Sequence, residues 1–166
     1  MSDRGLKRLL QRLSDSLAED RLVQNVTDEI RAQLNVDRVV LYYFYRQWSG
    51  RVTFESLSSR KYSILGSTGP DDCFNGEYAD LYKNGRVSAI ANIETAPIAD
   101  CHREFLRDMQ VKANLVAPVL PAAGLWGLLV AHHCQSPVQW SPEQIAAIKS
   151  GANVLASSDT IRQDRI

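Results

Sequence analysis

The chain has 166 residues, 45% of them hydrophobic, which suits one domain with a full core. Its 19 basic and 19 acidic residues cancel, so the charge gives no case for nucleic acid, which asks for a concentrated basic surface. No apolar run reaches the length of a membrane span and the polar start Ser2-Asp3-Arg4 is no signal peptide; three cysteines then indicate reduced thiols in a cytoplasmic α/β-type domain rather than a disulfide framework.

Apolar residues at three- and four-residue intervals predict helix from residue 4 to about 35: Leu6, Leu9, Leu10, Leu13 and Leu17, then Leu22, Val23, Val26, Ile30 and Leu34. A break near Glu19-Asp20 divides it in two. The first helix reads equally as a surface helix or as one that packs on a partner chain. Residues 36–46 are β-branched and aromatic and predict a strand; 51–58 predict a second, with Trp48-Ser49-Gly50 as the hairpin turn. Alternation lets part of the run Tyr42-Tyr43-Phe44-Tyr45 line a cavity, the rest being core.

A loop runs through Pro70, followed by a short helix over 73–84 closed by Gly85, and a strand over 87–93. Pro97 is expected to open the next helix, with Ile98, Cys101, Phe105 and Met109 along one face, which turns the Cys101 sulfur inward. Two further strands, 114–120 and 125–133, flank Pro121-Ala122-Ala123-Gly124. Alternation puts Trp126, Leu128, Val130 and His132 on one face of the last strand and Leu129, Ala131 and His133 on the other. Ser141-Pro142-Glu143 starts the final helix as N-cap, first turn and acid, with Ile145, Ile148, Ala152 and Leu155 as its buried stripe.

This order suits an α+β domain: a central antiparallel sheet, the terminal helices on one face and a ligand-covering layer on the other. Cys73 and Cys101 make no Cys-x-x-Cys pair, which argues against a zinc ribbon or thioredoxin-type site. Cys101 instead adjoins His102, a setting in which an imidazole can encourage thiolate character. The plainer readings are a buried core cysteine at 101, an inert loop thiol at 73 and a structural Cys134.

Several segments in order resemble the cyanobacteriochromes, bilin-binding GAF domains of cyanobacteria. They are Val36-Asp37-Arg38-Val39, Asp71-Asp72-Cys73-Phe74, Cys101-His102, Lys112-Ala113-Asn114-Leu115-Val116 and the stretch from Leu125-Trp126-Gly127 to His132-His133-Cys134, the likeness spanning roughly residues 20–160. The resemblance implies a photoreceptor domain over 20–166 preceded by an N-terminal helix or linker over 1–19. Cys101 would join a linear tetrapyrrole, phycocyanobilin or phycoviolobilin, through a thioether, with His102 packed on it and hydrogen-bonded to its pyrroles. Light would flip the double bond between rings C and D from Z to E, with no substrate turned over.

Asp71, Cys73 and Phe74 match the Asp-x-Cys-Phe subgroup, in which a second thiol adds reversibly to the central methine bridge and moves absorption to the blue. Asp71 would accept hydrogen bonds from pyrrole nitrogens, and Tyr78 stands where some blue/green members carry tryptophan. One of His132 and His133 would neighbour the D ring; the sequence leaves open which. Lys112 reads as a solvated lysine or as a propionate partner. The resemblance further implies a homodimer through the terminal helices and an output domain in a longer chain, without nucleic acid or membrane contact. Two alternatives stand beside it: a bilin switch linked through Cys101 alone, and a GAF domain that binds a non-bilin ligand such as a cyclic nucleotide or senses redox state through its thiols.

Overall fold

The computed structural model describes residues 3–46, 49–69 and 76–163. Asp71, Cys73 and Phe74, like Trp48 of the expected hairpin turn, lie outside the described residues, as does the side chain of Tyr78.

Helix α1 (Asp3–Glu19) and helix α2 (Arg21–Leu34) part at Asp20, whose carboxylate accepts from the Leu22 and Val23 backbone N–H groups as an N-cap. Strands β1 (Arg38–Arg46) and β2 (Ser49–Leu57) pair antiparallel, so Ser49 and Gly50 belong to the strand rather than to a turn. Helix α3 (Gly76–Lys83) ends before Gly85, which takes the left-handed conformation at φ +88. Strand β3 (Ser88–Ile90) is shorter than the predicted 87–93 run. Helix α4 (Asp100–Asp108), β4 (Ala113–Val119), β5 (Gly127–His133), α5 (Pro142–Leu155) and the short α6 (Asp159–Arg162) complete the chain.

The five strands form one antiparallel sheet in the order β2-β1-β5-β4-β3. On one face, Val39, Leu41 and Tyr43 of β1, Leu115 and Ala117 of β4, and Leu129 and Ala131 of β5 pack with α1, α2, α5 and α6 into the main core. Leu10, Leu13 and Leu17 of α1 are buried in that core, so the first helix packs on its own sheet. Helix α5 starts as its sequence predicts: Ser141 and Gln144 form a capping box and Pro142 takes the first turn.

Three further sequence expectations shift. Pro97 does not open a helix: α4 begins at Asp100 after the extended N-cap Ala99. Proline's fixed φ serves an extended segment as well as a first turn. Trp126 leaves the face of Leu128, since it precedes β5 and its ring packs on Tyr43 at 5.0 Å within the helical-layer core. Gly127 permits this turn of the chain, because a Cβ there would collide with the Tyr42 carbonyl. Ile145 is only partly buried, and Gly151 replaces it in the α5 stripe, where the Ile30 side chain lies against it. No helix among the described residues is long and apolar enough to cross a membrane.

Candidate functional site

Because strand side chains alternate, the even-numbered residues of β1, β4 and β5 leave the main core and face the other way. Val40 and Tyr42, Asn114 and Val116, and Leu128, Val130 and His132 form the floor of a cavity of about 570 Å³. Its opposite wall comes from α3, the 88–98 segment and α4. The volume and the mainly apolar lining, with a few placed polar groups, are those of a small-molecule site.

Helix α4 turns His102, Phe105, Leu106 and Met109 toward this cavity, the i, i+3, i+4, i+7 stripe of an amphipathic helix. The predicted face was rotated by including Ile98, which precedes the helix. Cys101 therefore does not point inward: it is exposed in the first turn of α4 and outside the cavity lining, one residue from His102. Cys101 is disulfide-bonded in this structure, contrary to the expectation of reduced thiols. His102 is half-buried, and burial lowers its pKa, which favours the neutral ring.

Arg103 clamps the wall beside this turn. Its guanidinium donates to the Ile93 and Ala96 carbonyls at 2.9 and 2.6 Å and to Asp100 at 3.2 Å. Arg107 pairs with Glu94 on the same segment. These bonds hold residues 93–96 over α4, so the position of Cys101 and His102 is fixed from both sides.

The two adjacent histidines have separate surroundings. His132 lines the cavity at 2% exposure, directly opposite Arg38 on β1 and Asn114 on β4. His133 lies on the other side of the strand, its ring 5.3 Å from that of Trp140, and is not part of the cavity lining. Burial lowers the pKa of both; for His132 the shift is large, and Arg38 adds to it. Cys134 is a buried free thiol whose backbone N–H donates to Asp37 at 2.7 Å, and burial raises its pKa. Lys112 is exposed and outside the lining.

Two residues of the site carry roles that sequence reasoning had passed over. Arg38 is 1% exposed and donates to His132 Nδ1, the Tyr62 carbonyl and the Met109 carbonyl at 3.0, 2.6 and 2.6 Å. The Met109 carbonyl closes α4, where a cation is favoured by the helix dipole. Asn114 lines the cavity at 4% exposure, and its Oδ1 has no hydrogen-bond partner among the described residues. A charged or amide side chain inside a strongly apolar strand run is the sequence signal for both, since such groups are rarely buried without a partner. Of the predicted site residues, His102 and His132 share the cavity and Cys101 stands beside it; Asp71, Cys73 and Phe74 and the Tyr78 side chain lie outside the described residues.

The sheet order, the helical layer on one face and the cavity on the other suit a ligand-binding module, and the family model of the GAF domain matches residues 18–158. The chain belongs to the GAF family. It is 49% identical over 156 residues to an uncharacterised protein of Picosynechococcus sp., covering 94% of this chain and 96% of that protein. It is also 35% identical to a putative methyl-accepting chemotaxis protein of Synechocystis sp., covering 97% of this chain but only 16% of that longer relative. Among solved structures, the cyanobacteriochrome receptor PixJ matches with a TM-score of 0.78 and 29% identity over 90% of this chain and 96% of that one. A phycocyanobilin-bound GAF domain from a cyanobacterial phytochrome matches with a TM-score of 0.73 and 30% identity, covering 95% and 93% of the two chains.

Proposed function

We propose that this GAF domain is a light sensor that holds a linear tetrapyrrole in the 570 Å³ cavity, bound covalently through Cys101. The observation that carries the reading is the pairing of an apolar cavity, lined by two pKa-lowered histidines and a buried amide with an unmet acceptor, with a cysteine at its edge. Similarity to a phycocyanobilin-bound GAF domain and to PixJ supports the choice of ligand class.

A bound bilin would supply a conjugated pigment whose double-bond geometry changes with light. Everything else falls to the protein. Cys101, once reduced, supplies both sulfur and proton to an addition across a carbon–carbon double bond, so no oxidant and no leaving group is needed. His102, neutral in its half-buried place, is within one residue of that sulfur and faces the ligand. Val40, Val116, Leu128 and Val130 exclude water from the floor. Phycocyanobilin or its isomer phycoviolobilin fits this role.

The Asp71-x-Cys73-Phe74 motif supports a finer reading, in which Cys73 is a second, reversible thioether, Asp71 binds the pyrrole nitrogens, and Phe74 and Tyr78 pack beside them. His133 is left out, because its ring packs on Trp140 away from the cavity. Signalling would pass to a partner copy or an output domain through the terminal helices, α1 and α6. The test is colour that survives denaturation. After loading with phycocyanobilin under reducing conditions, the native chain keeps its pigment in denaturant and Cys101→Ala loses it. Equal retention by both would overturn Cys101 as the attachment site.

A further inference from the structure

Helix α1 turns one side to the core and the other to water, and its exposed side is sorted by charge. Leu10, Leu13 and Leu17 hold the helix on its own sheet. On the outer side, Arg4, Lys7, Arg8 and Arg12 are basic, with no acid between them, and Asp15 and Glu19 beyond them are acidic. All six are exposed.

This order works against the helix that carries it. A helix dipole favours anions at the N-terminal end and cations at the C-terminal end, whereas α1 has arginine and lysine in its first turns and a glutamate in its last. Arg4, Arg8 and Arg12 stand four residues apart, as do Asp15 and Glu19, a spacing at which like charges repel. No residue of α1 takes part in an ion pair among the described residues, not even Arg12 with Asp15 three positions on. Asp15 accepts instead from the Gln11 amide at 3.0 Å. Seating the leucine stripe requires polar residues on the outer side but no particular order of charge, so the fold does not account for the sorting.

A second copy does. Arg4, Arg8, Gln11, Asp15 and Glu19 follow one another at steps of three or four, one stripe along the outer face. Arg4 and Glu19 are equidistant from a point between Gln11 and Arg12, and so are Arg8 and Asp15. Turning the helix end over end about that point exchanges its basic half with its acidic half. Two copies laid antiparallel on a two-fold axis therefore set Arg4 against Glu19 and Arg8 against Asp15, each pair occurring twice. A parallel pair would set each of these charges against its own copy. Packed helix axes lie about 8–10 Å apart, a gap that arginine and carboxylate side chains span together.

We infer that the outer face of α1 docks a second copy of this chain, antiparallel, through these two pairs of charges and their symmetry mates. The docking is independent of the bilin reading, since no ligand takes part in it. Exposed ion pairs are individually weak and are screened by salt, so the surface makes a dissociable, salt-sensitive dimer rather than a permanent one.

Sedimentation of the full chain, bilin-free and kept reduced, tests this at up to about 1 mM protein. The expected result is a monomer–dimer equilibrium that weakens about tenfold between about 0.01 M and about 1 M salt, as the Debye length falls from about 30 to about 3 Å. Arg8→Glu and Asp15→Arg each turn two attractions into two repulsions, and each is expected to weaken self-association about tenfold. Mixed in equal amounts, the two variants are expected to associate with the native affinity. In that mixed pair the Arg8→Glu chain meets a cation at position 15, and its own Asp15 meets Arg8. A merely structural role for either residue gives no such rescue. A chain that stays monomeric in low salt, a dimer indifferent to salt or to both reversals, or a mixture that fails to associate would overturn the inference. Pigment uptake enters none of these readings, so their failure is distinct from failure of the bilin reading.

Discussion

Arg38 shows how much one buried side chain can organise. Its three hydrogen bonds join the start of β1 to the 60–62 turn, the C-terminal end of α4 and His132 on the cavity floor. Burial lowers its pKa, the cost of holding the charge away from water. Methionine would remove that cost but leave two carbonyls and an imidazole nitrogen buried without a donor. The second effect is larger, because each orphaned group costs about 1–3 kcal/mol. We predict that Arg38→Met lowers unfolding stability by about 3 kcal/mol in a urea titration; an unchanged midpoint would show that these carbonyls find other partners. Residue identity alone had marked Cys101 and His102, but not which way they face. That depended on the phase of α4, and Ile98, read as helical, rotated the predicted stripe. The choice between His132 and His133 likewise needed the β1–β5 register, which sets His132 opposite Arg38.

At the scale of elements, helix ends were the most legible features where capping chemistry was explicit. Ser141-Pro142-Glu143 marked α5 because serine, proline and acid each satisfy a different need of a first turn. In the sequence Asp20 marks only a break, yet it does two jobs. One carboxylate oxygen caps α2 through Leu22 and Val23, and the other accepts from the Thr160 hydroxyl at 2.9 Å, tying α6 to the α1–α2 junction. Asp20→Ala is expected to cost about 1–2 kcal/mol, with Thr160→Val costing less because the cap survives; thermal melts of the two variants check the order. Where the elements were misjudged, close packing was the reason. Trp126 left its alternation because Gly127 lets the chain approach the Tyr42 carbonyl, a tertiary contact invisible in a strand pattern.

For the whole molecule, the sheet separates two tasks. One face carries a core shared by α1, α2, α5 and α6, and the other a cavity with few polar groups. The antiparallel architecture followed from the order of periodicities in the chain, whereas the cavity's depth and its orphan amide followed from packing that no periodicity encodes. All three histidines of the chain hold pKa values below 6.5 when folded, with burial the first cause in each. The unfolded chain therefore binds more protons once the pH falls below about 6.5, and stability then drops. The contribution is fully present above that value and lost as pH falls toward the folded pKa values. The denaturant midpoint should fall between about pH 7.5 and about pH 5.5, and His132→Gln should flatten the slope if it folds; a rising midpoint would contradict the neutral assignment.

The proposed photosensor function rests on the cavity and Cys101 together. It is tested most directly by the light-minus-dark absorption spectrum of the reduced, phycocyanobilin-loaded chain, recorded beside Cys101→Ala and Cys73→Ala. The expected result is a reversible difference spectrum in the native chain that survives repeated cycles and is lost with Cys101. A blue-absorbing state that disappears with Cys73 is expected beside it. A native chain that stays colourless, or takes up pigment but shows no light-driven change, would contradict it.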